Sequence, residues 1–338
     1  MTKPCLAVGS LGGTITMTSG ARGRGVTPSL TVADLLAAVP ALADSVELQT
    51  RTLAASPGAS LGFTEVFAAL DWARGAVDNG AVGAVLVQGT DTLEETSYLL
   101  DLHWDREQPL VLTGAMRSPR QAGADGPANI LAASAVATTP SSRGLGVLVT
   151  INDEVHSPTR IRKADTTALD AFTTAPFGPL ARVQEGNVTY ANKPRRWAPI
   201  PRPTTERVPR VALLETSLGD DGTLLRMACD AGYDGVVISG FGAGHVPATV
   251  AEVVSTAVEH GPVLLASRTG RGSVLTHTYG FAGSEEDLLS RGVMSAGWLD
   301  GRKARILLWS LLATGSTPGR IREEVTIRGG RPGGPDQN

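Results

Sequence analysis

Cysteine is almost missing from this sequence. Cys5 and Cys229 are the only two. They lie far apart, in strand-like and helix-like stretches, and offer neither a disulfide framework nor a metal-ligand spacing. That usage suits a reducing compartment, with both thiols as buried apolar filler. Also missing is any apolar run near the roughly 20 residues that a membrane helix requires. The start, Met1-Thr2-Lys3-Pro4-Cys5, enters a strand-like segment without the apolar stretch of a signal peptide. A cytoplasmic protein with no membrane partner is expected. Charge imbalance is absent too: a formal net charge of -3 with 19% charged residues leaves no electrostatic bias toward nucleic acid. Phosphate-binding glycine patterns fail as well. Both "GSLGGT" at 9–14 and "GFGAGH" at 240–245 depart from G-x-G-x-x-G, and there is no Walker A lysine, so no nucleotide cofactor is expected. No repeat period is visible.

What is present is a strong rhythm over a chain of 338 residues, long enough for two domains. Short runs rich in Val, Leu, Ile and Ala occur at 6–8, 84–87, 109–113, 145–151, 211–214, 235–239 and 262–266. Amphipathic stretches at 31–39, 64–79, 92–104, 126–137, 221–231, 247–259 and 301–312 alternate with them. Strand alternating with helix implies βαβ units and mainly parallel, doubly wound α/β sheets. The stretch 190–209, "YANKPRRWAPIPRPTTERVP", is rich in proline and arginine without periodicity and reads as a linker. It separates a larger N-terminal domain, 1–189, from a smaller C-terminal one, 210–327. The tail 328–338, "RGGRPGGPDQN", is polar and Gly/Pro-rich and is expected to be disordered.

Three segments carry chemistry. In "AVLVQGTDTLEETSYLL", 84–100, a buried strand opens into a helix, and Thr90 and Asp91 sit at that junction. Ligands of an open parallel sheet bind at the carboxyl ends of strands, where helix N-termini offer free N–H groups. A capping box formed by Thr92 with Glu95 leaves Thr90 and Asp91 outside the helix. A plain Thr-Asp turn is the bland alternative. In "CLAVGSLGGTITM" the first strand ends near Gly9, and Gly12-Gly13 allow close backbone approach before Thr14. In "NDEVHSPTRIRKADTTALDAF", Lys163 stands among Arg160 and Arg162. A lysine in such a cluster is usually solvated. Two threonines at strand ends, an aspartate beside one and a lysine able to act as base together suggest acyl transfer, since a hydroxyl needs a neighbour to take its proton.

"GGTIT" at 12–16, "QGTDTLEET" at 88–96, "GAMRSP" and "ADGPANI" within 114–130, and "RKADTT" at 162–167 resemble the bacterial-type L-asparaginase family. "YDGVVISGFGAGHVP", "ASRTGRGSV" and "GRKARILL" are similar to its C-terminal domain. The resemblance implies an amidohydrolase without metal or organic cofactor, assembled as a homodimer or homotetramer with active sites between subunits. It implies Thr14 as the nucleophile that forms a β-aspartyl ester with L-asparagine. Thr90 is then hydrogen-bonded toward Lys163, Asp91 meets the substrate α-ammonium, and the carbonyl of Ala115, with nearby backbone N–H groups, orients the amide.

Some positions depart from that pattern. The family's activating tyrosine has no counterpart in "SGARGRGVTP", where Gly25 takes its place. The serine that binds the substrate carboxylate is replaced by Gly58, leaving Ser60, Ser56 or a backbone N–H for the role. The histidine before Gly-Thr-Asp is Gln88. For the acidic residue reaching over from a neighbouring subunit, Glu285 and Glu286 compete. Two other functions stay open: the amidase partner of a tRNA-dependent amidotransferase, and a non-catalytic amino-acid-binding or sensing protein. The first normally carries an extra N-terminal domain, whereas "GGTIT" begins here within the first 15 residues. The second is favoured by the missing tyrosine but gives Lys163 little to do.

Overall fold

The computed structural model describes residues 3–19, 26–28, 30–203 and 208–330. It divides into two compact units, Met1–Pro199 and Ile200–Asn338. The division falls inside the 190–209 segment.

In the first unit the strands are β1 Cys5–Gly12, β2 Met17–Ser19, β3 Val26–Pro28, β4 Glu47–Ser56, β5 Gly83–Val87, β6 Leu110–Thr113 and β7 Val147–Ile151. Five short ones follow: β8 Glu154–His156, β9 Arg162–Lys163, β10 Phe172–Thr173, β11 Ala181–Gln184 and β12 Asn187–Tyr190. The helices are α1 Val32–Ala37, α2 Pro40–Ser45, α3 Phe63–Asp78, α4 Leu93–His103 and α5 Gly126–Thr138. Eight strands form one sheet in the order β12-β11-β8-β7-β6-β5-β1-β4. Its β4-β1-β5-β6-β7 part is parallel, and β8, β11 and β12 extend it antiparallel. Strands β5, β6 and β7 are buried at every residue, as continuous apolar runs covered on both faces must be. Leu6 and Val8 of β1 join α1, α2 and α5 in one core, while a side chain at Gly9 would point at Trp72 of α3 and Leu86 on the opposite face.

Strand β4, "ELQTRTLAAS", has no apolar run and was not apparent in the sequence; it is the exposed sheet edge. The stretch 31–39, expected as one helix, holds α1 and then gives way to α2, whose Pro40 occupies a first-turn position where its missing N–H costs nothing. The capping box expected at Thr92 is absent: Thr92 donates its hydroxyl to the carbonyl of Gly58, 2.9 Å away, instead of capping α4.

The second unit contains β13 Val211–Glu215, β14 Gly235–Gly240, β15 Val263–Ser267 and β16 Met294–Ser295 in a parallel sheet of that order. Around it lie α6 Thr223–Asp230, α7 Ala248–His260, α8 Glu285–Ser290, α9 Gly301–Ala313 and α10 Pro318–Arg328. Arg328, expected to open a disordered tail, is instead the buried last residue of α10 and pairs with Glu324. Residues 331–338 of that tail lie outside the described residues. Among the described residues, no helix is long and apolar enough to cross a membrane.

Candidate functional site

Strand order fixes where a ligand could sit. From β1 the chain crosses to β4 on one side, and from β5 to β6 on the other, so the gap between the carboxyl ends of β1 and β5 is a topological switch point. The loops leaving those two strands carry Thr14 and Thr90. Each forms a single 3₁₀ turn, Thr14–Thr16 and Thr90–Thr92. The loop after β4 forms a third, Gly58–Ser60.

Glycine brings the three turns together. Gly13 has φ of 92°, and a Cβ placed on it would lie 2.1 Å from the Cα of Gly89. A Cβ on Gly58 would lie 3.2 Å from the Gly89 carbonyl carbon. Backbone therefore touches backbone where side chains would hold the loops apart, and Thr92 pins the arrangement through its bond to Gly58. Within the first turn, Thr16 donates both its N–H and its hydroxyl to the Gly13 carbonyl, which buries Ile15 and Thr16 and leaves Thr14 half-buried. Among the described residues none hydrogen-bonds the Thr14 hydroxyl.

Lys163 completes the second turn. Its Nζ donates to Thr90 Oγ1 at 3.0 Å and to Asp91 Oδ1 at 3.1 Å. It comes from the far side of the sequence, on the ribbon of β9 with β10, where it pairs with Phe172. The exposures differ in a telling way: Thr90 is 4% exposed, whereas the Asp91 side chain is 60% exposed. Thr90 is thus a buried hydroxyl tied to an amine, and Asp91 offers its other carboxylate oxygen outward, where a ligand cation can meet it.

The loop after β6 supplies Ala115, which is buried. Asp125 accepts the N–H groups of Met116 and Arg117, both at 2.9 Å. Asn129 of α5 donates to the Gly114 carbonyl at 3.0 Å and to Asp125 at 3.1 Å, and accepts from the N–H of Asn152 at 2.9 Å. The backbone around Ala115 is therefore held at three points, Gly114 by the buried Asn129 amide and Met116 and Arg117 by the Asp125 carboxylate. Asp125 and Asn129 were present in the "ADGPANI" stretch, but no role was expected of them there. For Asn129 the signal was polarity at a position that the helix period buries; Asp125 stands half-buried just before that helix.

Of the other expected residues, Ser60 ends its 3₁₀ turn as an exposed side chain, and Ser56 closes β4 opposite Gly12. Gln88 is fully buried; its amide donates to the Gly89 carbonyl and to Thr96, 3.2 and 3.3 Å away. Gly25 lies outside the described residues. Glu285 belongs to the second unit and is fully buried. Burial works against its charge, but the N–H groups of Tyr279 and Thr278 and the ring of His245 outweigh it and hold the carboxyl below its usual range. One oxygen is thus engaged by the loop leading into α8 and the other by His245 of the loop after β14. Glu286 is exposed beside it.

Known proteins share this organisation. Residues 6–196 match the family model described as Asparaginase, N-terminal, and residues 210–324 match the Glutaminase/Asparaginase C-terminal domain. The chain is 34% identical to the L-asparaginase of Bacillus licheniformis over 239 residues, 70% of this chain and 73% of that protein. It is 30% identical to L-asparaginase 2-3 of Saccharomyces cerevisiae over 334 residues, 94% of this chain and 89% of that one. The crystal structure of the probable cytoplasmic L-asparaginase from Campylobacter jejuni superposes with a TM-score of 0.87 at 28% identity, covering 96% of this chain and 99% of the other.

Proposed function

The chain belongs to the bacterial-type L-asparaginase family, and from that premise we propose that it hydrolyses L-asparagine to L-aspartate and ammonia, with Thr14 as nucleophile. The observation that carries this reading is the Lys163 amine within 3.0 Å of Thr90 Oγ1, at a switch point where Gly13 touches Gly89. Thr14 Oγ adds to the side-chain carbonyl as its proton leaves. Collapse breaks the C–N bond, a proton joins the departing nitrogen to give ammonia, and a β-aspartyl ester remains. Water oriented by Thr90 and Lys163 then splits the ester. Asp91 meets the substrate α-ammonium, a charge match that strengthens as water is excluded. The Ala115 carbonyl accepts from the substrate amide, and backbone N–H groups of the glycine turns stabilise the developing oxyanion. The substrate carboxylate is met by the loop 56–60, through Ser60, Ser56 or a backbone N–H.

The reading extends to cellular context. Cytoplasmic location and self-association as a dimer or tetramer belong to it, supported for assembly by the exposed apolar side chains Leu224 and Met227 on α6. A non-catalytic amino-acid-binding role is the second reading, favoured by the Thr14 hydroxyl having no hydrogen-bond partner among the described residues. Ammonia release by the purified protein with L-asparagine, with L-glutamine and without amide separates them. Release from asparagine supports hydrolysis. No release, with asparagine still raising Tm, supports the binder.

A further inference from the structure

Lys163 serves the proposed reaction only if its amine is held against Thr90, yet its own surroundings give it little rigidity. The ribbon that carries it has two residues in each strand and stands apart from the eight-stranded sheet. Two-stranded ribbons of that length are at best marginal on their own. Lysine adds a flexible four-carbon stem.

The backbone N–H of Lys163 is not spent within the ribbon. It donates to Oε2 of Glu94, 3.2 Å away and 69 residues distant in sequence. Glu94 is 2% exposed, and burial of a carboxylate is costly unless hydrogen bonds compensate for lost water. It lies in the first turn of α4, where the helix dipole favours a negative charge. The 3₁₀ turn Thr90–Thr92 runs directly into that helix. One short stretch therefore holds Lys163 twice: Thr90 and Asp91 take the amine, and Glu94 takes the main chain.

We propose that Glu94 is a positioning residue, which anchors the Lys163 backbone to the same helix end that bears Thr90 and so fixes the reach of the amine. The inference rests on the hydrolytic reading of Lys163. A displacement near 1 Å in a reacting group costs about 100-fold in rate, which sets the scale of the effect.

The test compares Glu94→Ala, Glu94→Gln and Glu94→Met, each alone and with Lys163→Met, by kcat and KM for L-asparagine. Glu94→Ala should lower kcat about 10- to 100-fold with KM within about threefold. Glu94→Gln should recover most of the rate, because its amide oxygen still accepts the Lys163 N–H, and near-isosteric Glu94→Met should not. In the Lys163→Met background, Glu94→Ala should cost nothing further. A kcat loss that multiplies undiminished on Lys163→Met, or Glu94→Met matching Glu94→Gln, would overturn the proposal. If Glu94→Ala does not fold, the Gln and Met pair carries the comparison. Failure of the hydrolytic reading shows separately, as absence of ammonia from the wild type. Anchoring is then read by hydrogen exchange: Glu94→Met should speed exchange at the Lys163 amide relative to Glu94→Gln, and equal protection would refute it.

Discussion

A methyl group at Gly13 is the smallest change that separates the two threonine loops. Its Cβ would lie 2.1 Å from the Cα and the nitrogen of Gly89, both of them backbone atoms that no rotamer change can move. Ordinary contact begins at 3.4 Å, so one loop must retreat by about 1 Å, a displacement that costs about 100-fold in rate when reacting groups are misplaced by it. Gly13 also has φ of 92°, so strain of about 1–3 kcal/mol accompanies the clash. Gly80→Ala isolates that second effect, since Gly80 has φ of 102° and nothing within 4 Å of the added atom. The assay pairs kcat for ammonia release with Tm for both variants. Both should lose stability, and only Gly13→Ala should lose about two orders of magnitude in kcat. Gly13→Ala retaining near wild-type kcat while folded would refute the idea that backbone contact between the two turns sets the catalytic geometry.

Two further outcomes follow from named contacts. Lys163→Met should reduce kcat by about 10²–10⁴-fold, the range of general-base contributions. Its ion pair with the exposed Asp91 contributes at most about 1 kcal/mol, so Tm should change little, and an unchanged rate would make Lys163 structural. His156 links stability to pH. Burial first, and the charge of Arg182 second, push its pKa down to about 4, so the unfolded chain takes up a proton before the folded one as pH falls. The contribution is complete above pH 6.5 and lost progressively toward pH 4, amounting to about 3 kcal/mol. Urea unfolding across that window should show this slope, and His156→Gln should flatten it; an unaltered slope would assign it to other groups.

Much of the fold was legible in the sequence because burial on both sheet faces demands continuous apolar runs, and those runs became β5, β6, β7, β14 and β15. Long helices were legible for a similar reason: α3, α5, α7 and α9 end within a residue or two of the amphipathic stretches. Edge strand β4 was not, because none of its side chains is fully buried and its partly buried ones, such as Leu48 and Leu53, follow no regular alternation. Thr92 was misread because a capping motif is local, whereas its hydroxyl goes to Gly58, 34 residues away. At the site, Thr90, Asp91 and Lys163 were picked out by residue type, and the structure brings them within hydrogen-bonding distance. Glu94 and Asn129 were overlooked because their importance lies in main-chain partners, which a sequence does not display.

The most direct test of the account is ammonia release from L-asparagine by Thr14→Ala beside the wild type, with Tm recorded for both. Turnover by the wild type that disappears in the variant, while Tm stays close to the wild-type value, is the predicted result. Substantial turnover by a folded Thr14→Ala would contradict the account, because the ester-forming hydroxyl would then have to lie elsewhere.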